Sequence, residues 1–303
     1  MSDNPDPDET AVEGVRVYDA HRATVGSLDV RRALPQRTRR TIGPWCFADH
    51  LGPASFTERE GLDAGPHPHV GLQTVTWLID GEALHHDSLG TEQVIKPGQL
   101  NLMTAGRGVA HAEEGTGHYR GTFEGIQLWI AQPDWSRGGA SAFEHHHELP
   151  RVNVGDAVVT VLLGDLLDSS SPARHDSDLV GLDVDVHSTS TVPLAPSFEH
   201  GVIVLRGSVR IGEVVVTPGS LAHVPVGTAE LRLEVLEPSR IMVIGGPVFE
   251  EPIVMWWNFV ARRREELTAA YQSWTTRDGR FAEVTSARAP IAAPVPFWLR
   301  ADD

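Results

Sequence analysis

Two short segments of the sequence combine histidine and glutamate at a spacing that suits metal binding. His67 and His69 lie two residues apart in AGPHPHVGLQTVTWL, and His111 and Glu113 have the same spacing in AGRGVAHAEEG. Alternate residues of a β-strand point to the same face, so each pair can direct both side chains to one point. Three neutral imidazoles and one carboxylate suit a first-row divalent ion and leave coordination positions open. The sequence therefore predicts a metal site built from His67, His69, His111 and Glu113.

A single His-X-His pair would be a weak signal in a chain with 15 histidines, because one pair can arise on a polar strand edge. A His-X-His pair followed by a His-X-Glu pair is a stronger signal, since each lies beside a glycine turn and the chain between them is long enough for two or three antiparallel strands. We interpret them as one ligand set inside a β-barrel. Cys46 is the single cysteine, which argues against a closed structural zinc site. Because Trp45 and Phe47 flank it, we expect Cys46 to be buried.

The chain around these pairs is typical of short β-strands. Runs such as QTVTWLID, FEGIQLWIA and GVIVLRGSVRIGEVVV have β-branched or aromatic residues at strand-like spacing, and most of the 29 glycines and 21 prolines lie between such runs. One segment, WNFVARRREELTAAYQSW, predicts a helix with Asn258 as its N-cap. Its expected apolar face consists of Val260, Leu267, Tyr271 and Trp274. The predicted fold class is therefore all-β, with antiparallel barrels or sandwiches and one C-terminal helix.

A weak internal repeat predicts two β domains of similar construction. VIKPGQLNLMTAGRG near Ile95 and VVVTPGSLAHVPVG near Val216 share a Pro-Gly turn after a β-branched run. We expect the histidine run at 145–147 to be a solvated linker between the domains. The predicted segments are a disordered acidic tail at 1–14, an N-terminal metal-binding domain at 15–140, and a C-terminal domain with the helix at 150–303.

Composition excludes several classes of function. The chain has 303 residues, 41% of them hydrophobic, which is enough for a real core. Its net charge of −16 disfavours direct nucleic-acid binding and anionic membrane surfaces. The N-terminus is acidic and poor in apolar residues, unlike a signal peptide, and no run approaches the roughly 18 apolar residues of a membrane helix. We expect a cytoplasmic protein without nucleic-acid or membrane partners.

The central segment HPHVGLQTVTWLIDGEALHHDSLGTEQVIKPGQLNLMTAGRGVAHAEE resembles the signature of the pirin family, a branch of the cupin superfamily. GGPVFEEPIVMWWNFVARRREELTAAYQSW and RRTIGPWCFADHLGP are similar to its C-terminal and preceding segments. The resemblance implies a bicupin, in which two β-barrel domains lie face to face and the N-terminal one holds a single metal ion, usually iron. It implies the same four ligands: His67, His69, His111 and Glu113. Some pirins cleave quercetin with dioxygen.

Three residues depart from the pattern that pirins often show after the first histidine pair. Val70 stands in place of an arginine, and Leu72 and Gln73 replace an aromatic or methionine followed by glutamate. The four candidate ligands are intact. We therefore expect these departures to alter the choice of substrate more than the binding of metal.

The leading functional hypothesis is an iron-dependent oxidoreductase of the quercetin 2,3-dioxygenase type, which acts on a small aromatic, flavonol-like substrate with dioxygen. The metal would lower the pKa of the flavonol hydroxyl, and Glu113 would serve as a ligand and, if it dissociates, as the catalytic base. The ligand types also accept Ni, Zn, Co, Mn or Cu. The alternative is a metal-sensing or redox-sensing regulatory protein that binds a protein partner without turnover; a storage or binding cupin is a third interpretation.

Other histidines have simpler interpretations. We expect His85 to lie on a surface hairpin; the alternative is that it lines the pocket or donates a hydrogen bond to a metal ligand. His200 and His223 lack His-X-His or His-X-Glu partners, so we predict a structural second barrel without a metal.

Overall fold

The structure is a computed structural model that describes residues 10–12, 14–57 and 61–300. Within these residues the chain forms β-strands joined by tight turns, an α-helix and a 3₁₀ turn. In chain order the strands are β1 (Thr10–Val12), β2 (Val15–Asp19), β3 (His21–Val25), β4 (Leu28–Leu34), β5 (Trp45–Phe56), β6 (Ala64–His69), β7 (Leu72–Asp80), β8 (Ala83–Asp87), β9 (Glu92–Ile95), β10 (Leu100–Thr104), β11 (Val109–Glu114), β12 (Gly121–Ala131) and β13 (Ala142–His146). They continue as β14 (Arg151–Val154), β15 (Ala157–Leu163), β16 (Asp165–Leu166), β17 (Ser169–Ser170), β18 (Val180–Val186), β19 (Ser190–Pro193), β20 (Glu199–Ile211), β21 (Val214–Val216), β22 (Ser220–Val224), β23 (Glu230–Gly246), β24 (Val254–Trp256) and β25 (Phe259–Ala261). Helix α1 (Arg264–Thr276) follows, and the 3₁₀ turn is Phe297–Leu299.

The predicted β-rich class with one C-terminal helix is confirmed. The described residues fall into two compact units, each assembled from separate stretches of chain. Unit 1 contains Met1–Ala23, Val30–His50 and His146–Phe249. Unit 2 contains Thr24–Asp29, Leu51–His145 and Glu250–Asp303. In the part of the chain that the structure describes, no helix has the length and apolar composition that a bilayer span requires.

These units do not follow the predicted linear segments 15–140 and 150–303. The early strand β2 belongs to unit 1, where it pairs antiparallel with β22, with Tyr18 opposite Leu221. Helix α1 belongs to unit 2, together with the candidate metal ligands. Pairing between residues some 200 positions apart leaves no local signal, so the sequence could not reveal that β2 belongs to unit 1 and α1 to unit 2. As a division of the chain into domains, the linear boundary stays a prediction.

The predicted tail at 1–14 falls mostly outside the described residues, which omit 1–9 and 13. Thr10–Val12, however, form β1 and pair antiparallel with β2, with Thr10 opposite Val17. A disordered tail at 1–14 stays a prediction.

Unit 1 is built on one large antiparallel sheet with the strand order β1-β2-β22-β20-β23-β18-β15-β14, to which β19 and β21 attach at β23 and β20. Its core is rich in β-branched side chains, which pack well on a pleated surface. Five of the most buried core residues come from β18, β20 and β23: Leu182, Val184, Val202, Val204 and Val243. Burial of each such side chain contributes roughly 1.5–3 kcal/mol relative to exposure. Cys46 is also fully buried, as predicted.

Unit 2 contains the strands that carry the candidate ligands. Strands β13, β10, β7 and β12 lie side by side in this order, and a separate four-stranded sheet has the order β6-β11-β8-β9. Trp77 of β7 is buried between its neighbours Leu100 of β10 and Ile126 of β12. The short hairpin β24–β25 contacts the end of β6, where the Val260 N–H donates to the Val70 carbonyl at 3.1 Å.

Helix α1 begins later than predicted. Arg263, not Asn258, is its N-cap, and Asn258 lies in the turn between β24 and β25. The reason is that Phe259 and Val260 suit a buried strand as well as a helical face, and strand pairing with β24 prevails. The later part of the predicted helical face is buried through Leu267.

Candidate metal centre

Strands β6 and β11 bring the three candidate histidines together. The two strands are antiparallel neighbours, with His67 opposite His111 and His69 opposite Val109. Because alternate residues share a face, all three imidazoles point to the same side of the sheet. One nitrogen from each ring lies within 4.8 Å of the others. The arrangement that the spacing predicts for these three side chains is the one that the structure shows.

Burial keeps these imidazoles neutral. His67, His69 and His111 are only 9%, 1% and 2% exposed. Desolvation lowers the pKa of His67 to about 4 and holds the pKa of His69 and of His111 well below the usual value, and the proximity of the rings to one another adds to the effect. A neutral imidazole is the form that binds a metal ion.

Backbone carbonyls orient two of the rings. The Gly65 carbonyl accepts a hydrogen bond from His67 Nδ1 at 2.8 Å, and the Asn258 carbonyl accepts one from His69 Nδ1 at 3.1 Å. A carbonyl can only accept, so in both neutral rings the proton lies on Nδ1 and the lone pair lies on Nε2. Such partners commonly fix the ring orientation of metal-binding histidines.

The spacing of the ring nitrogens fits a metal ion. His69 Nε2 lies 3.0 Å from His111 Nε2. Two nitrogen ligands about 2.1 Å from one ion and at right angles to each other would be about 3.0 Å apart. Three nitrogen donors suit a first-row transition metal better than magnesium or calcium. The residues present therefore fit the metal that the sequence predicts.

Glu113 stands apart from this group. The pairing of β11 with β6 shifts in register between His111 and Glu113, because β6 has one extra residue there, and Glu113 lies opposite Ala64. The pairing of β11 with β8 stays regular, with Glu113 opposite His85. Its carboxylate accepts a hydrogen bond from the Thr76 hydroxyl at 3.1 Å. Burial raises the pKa of Glu113, and the proximity of His85 and the bond from Thr76 oppose the rise only in part. Its role as a fourth ligand and as a base stays a prediction.

His85 is not the surface histidine that the sequence favoured, and its position agrees with the alternative interpretation beside the candidate ligands. This side chain is 4% exposed, and its Nδ1 lies 3.4 Å from Nδ1 of His111. His85 is therefore buried beside the cluster and not exposed on the surface. Its ring stacks on Phe143, with centroids 4.4 Å apart. The sequence did contain a signal, because His85 and Asp87 have the same two-residue spacing as the candidate ligand pairs. In the structure their strand, β8, pairs with β11.

Two further groups of histidines lie away from the cluster. His145 belongs to β13 and lies 2.6 Å from the Asn101 side chain, so the run at 145–147 is not simply a solvated linker. In unit 1, His200 is fully buried and His223 Nε2 lies 3.0 Å from a carboxylate oxygen of Glu199. Among residues 10–12, 14–57 and 61–300, the group of three metal-binding side chains within reach of one ion is the one at His67, His69 and His111.

Comparison with known families decides the relationship. The family model described as Pirin matches residues 27–130, and the model described as Pirin C-terminal cupin domain matches residues 179–282. The chain belongs to the pirin family. The two matched segments confirm the resemblance seen in the sequence and show a bicupin, with one cupin domain in each half of the chain.

Relatives within the pirin family are similar over most of the chain. A Pseudomonas aeruginosa protein with the provisional name quercetin 2,3-dioxygenase is 43% identical over 281 residues, which cover 91% of this chain and 89% of the relative. A pirin-like protein of Caulobacter vibrioides is 34% identical over 268 residues, with coverage of 85% and 92%. The crystal structure of a quercetin 2,3-dioxygenase from Acinetobacter baumannii is 40% identical, with a TM-score of 0.91 and coverage of 95% and 98%.

The departures of this pirin from the common motif lie in packed positions. Val70 is buried in an apolar cluster with Phe259 of the hairpin and Leu267 of α1. Leu72 is fully buried, and the Gln73 amide donates to the Thr104 hydroxyl at 3.0 Å. The apolar surroundings of Val70 explain why a valine is accommodated here, since a buried guanidinium would need charged or polar partners. An effect of these residues on substrate choice stays a prediction.

Proposed function

We propose that this pirin is a dioxygenase of the quercetin 2,3-dioxygenase type that uses one iron(II) ion held by four side chains: His67, His69, His111 and Glu113. The observation that carries the proposal is the buried cluster of three neutral imidazoles whose donor nitrogens lie within 4.8 Å of one another. The 40% identical Acinetobacter baumannii quercetin 2,3-dioxygenase supports the choice of a flavonol-like substrate with dioxygen.

The side chains around the cluster have distinct roles in this proposal. A bound divalent ion would supply the Lewis acidity that lowers the pKa of a substrate hydroxyl. If it dissociates from the ion, Glu113 would accept the proton of that hydroxyl, and the hydrogen bond from Thr76 orients its carboxylate. The Trp129 ring packs edge-on against His69 with centroids 5.1 Å apart and shields it from water.

The test compares wild type with His69→Ala after anaerobic purification. Metal content is measured by elemental analysis, and oxygen uptake is followed after addition of quercetin. We expect about one ion per chain and quercetin-dependent uptake in wild type, and less than about a tenth of both in His69→Ala, because a ligand is lost. His118→Ala is the matched control, since this histidine of unit 2 is 75% exposed, and it should behave as wild type.

Three outcomes would contradict parts of the proposal. Absence of metal from every preparation, including those reconstituted with iron, nickel, zinc, cobalt, manganese or copper, would overturn the metal centre. One metal per chain without oxygen uptake would overturn the dioxygenase and favour the metal-sensing regulatory role, which pull-down of a protein partner would then examine. Full uptake with a metal other than iron would overturn the choice of iron. The cytoplasmic location stays a prediction.

A further inference from the structure

A line of three buried side chains extends from the candidate metal centre to the turn after β8. His111 Nδ1 lies 3.4 Å from His85 Nδ1, and His85 Nε2 lies 3.1 Å from Asp87 Oδ2. Strands β8 and β11 pair so that Asp87 lies opposite His111. All three side chains are at least nine-tenths buried. The alignment of a carboxylate, a second imidazole and a candidate ligand has consequences for where the protons lie.

The carboxylate of Asp87 can only accept hydrogen bonds, and its two oxygens have different partners. Oδ1 accepts the backbone N–H groups of Leu89 and Thr91, at 2.9 and 3.0 Å. Oδ2 faces His85. Burial opposes ionisation, but the hydrogen bonds from His85 and from the Thr91 N–H outweigh it and leave the pKa of Asp87 below its usual value. Asp87 is therefore an ionised acceptor at neutral pH.

This acceptor determines the proton positions along the line. In a neutral His85 the proton lies on Nε2, where Asp87 accepts it, and the lone pair lies on Nδ1. That lone pair accepts the Nδ1 proton of His111, so the lone pair of His111 lies on Nε2. His69 Nε2 carries a lone pair as well, because its Nδ1 donates to the Asn258 carbonyl. Two lone pairs thus face each other 3.0 Å apart, an arrangement that a cation between them stabilises.

We propose that Asp87 and His85 are positioning residues that hold His111 in the tautomer with an exposed Nε2 lone pair and so prepare the cluster for a transition-metal cation. The inference rests on the proposed metal centre and deepens it. Outer partners of this kind typically change metal affinity about 10- to 100-fold when removed. The stacking of His85 on Phe143 holds the His85 ring in place.

We call the hydrogen-bonded line from Asp87 through His85 to His111 the relay. Asp87→Asn tests it because the local backbone determines how the new amide must lie. The N–H groups of Leu89 and Thr91 require an oxygen at the Oδ1 position, so the amide NH₂ faces His85 Nε2. His85 must then carry its proton on Nδ1 and donate it to His111, whose own proton moves to Nε2. That proton would point at His69 Nε2, and the cluster would present an N–H where the metal needs a lone pair.

The experiment measures two quantities on purified full-length chain. Competition against a chelator gives the affinity for zinc, which is redox-inert, and ¹⁵N NMR of the metal-free chain at neutral pH reports the tautomer of each histidine. For Asp87→Asn we expect a loss of zinc affinity of about 10- to 100-fold and a shift of His111 from the Nδ1–H to the Nε2–H tautomer. The melting temperature of the metal-free variant should stay within about 4 °C of wild type.

Two further variants separate the relay from a general effect of charge or packing. Glu92→Gln removes a carboxylate from the same hairpin at a 72% exposed side chain and should leave zinc affinity and tautomers unchanged. His85→Phe keeps a ring stacked on Phe143 but removes the relay, so His111 should populate both tautomers and lose less affinity than in Asp87→Asn. A merely structural role predicts the opposite order, because His85→Phe is the larger change.

The relay would be overturned by an unchanged His111 tautomer in Asp87→Asn, by unchanged zinc affinity in that variant, or by a greater loss in His85→Phe. Failure of the proposed dioxygenase would look different. Wild type would then bind zinc, and Asp87→Asn would weaken that binding, while the iron-loaded wild type would show no oxygen uptake with quercetin.

Discussion

At the scale of single residues, Glu199 shows how unit 1 stabilises a buried charge. The carboxylate is nearly inaccessible, and its Oε1 accepts the Gly43 N–H at 2.8 Å. Arg39 and His223 each approach Oε2 to 3.0 Å. Burial raises the pKa of Glu199, but the bonds from His223 and Gly43 and the charge of Arg39 outweigh this, and the pKa lies below its usual value. In unit 1 a buried histidine thus contacts a carboxylate directly, whereas the three imidazoles of unit 2 direct nitrogens toward one another.

Removal of the Glu199 charge should cost stability in a pH-dependent way. Because the pKa is lower in the folded chain than the ordinary value of 4.5, the stabilisation is present above about pH 4.5 and is lost as the pH falls through the folded pKa. We expect Glu199→Gln to lower the free energy of unfolding by about 3 kcal/mol at pH 7, with a smaller difference from wild type near pH 3. Urea unfolding between pH 7 and 3 measures this, with exposed Glu213→Gln as the control. A constant difference across that range would argue against an ionised, paired Glu199.

At the scale of elements, the hairpin β24–β25 completes the surroundings of a ligand strand. The turn residue Trp257 adopts a left-handed conformation with φ of 54°, which is uncommon for a bulky side chain. The next residue, Asn258, offers its backbone carbonyl to His69. Gly71, just after β6, has φ of +69°, and a Cβ there would collide with the Val260 carbonyl. Close approach of this hairpin to the ligand strand therefore depends on a glycine.

Gly71→Ala should weaken metal binding without altering a ligand. The left-handed backbone costs about 1 to 2 kcal/mol of unfolding free energy for a residue with a Cβ. The collision with Val260 should in addition displace the hairpin, and with it the carbonyl that orients His69, and lower metal affinity several-fold. Gly117→Ala is the matched control, because Gly117 has φ of +80° and open space around its Cβ position. Thermal unfolding and chelator competition measure both effects; equal metal affinity in the two variants would contradict a role for the hairpin.

Local periodicity explains which parts of the site could be predicted from the sequence. The two-residue spacing placed His67 and His69 on one face because strand geometry is local, and the same rule applies to His111 and Glu113, which pair regularly with β8. The extra residue of β6 opposite this second pair could not be predicted from the spacing. The contribution of Asn258 could not be predicted, since it acts through a backbone carbonyl 189 residues away from His69 in the chain. The helix start was misplaced because Val260 fits either period, and only pairing with β24 decides between them.

At the scale of the whole molecule, the two units differ in what their buried side chains can bind. The group of side chains that can hold a metal lies in unit 2, which also contains the C-terminal hairpin and helix. The buried core of unit 1 is aliphatic and is held by the long pairings of β20 with β23 and of β18 with β23. An ion that binds the folded form stabilises it by RT ln(1 + [L]/Kd), about 2.7 kcal/mol at 100 times Kd. The proposed metal should therefore raise the free energy of local unfolding in unit 2.

Metal removal should expose this difference in hydrogen exchange. After chelation of the iron-loaded chain at neutral pH, we expect faster exchange at the amides of β6, β11 and the β24–β25 hairpin, because these elements hold the ligands and their carbonyl partner. Amides of β18, β20 and β23 should keep their protection. Mass spectrometry of peptides from both units makes the comparison within one sample, and His69→Ala should show no response to the chelator. Equal acceleration in both units would show instead that they open together, and no acceleration in unit 2 would contradict a metal bound at these histidines.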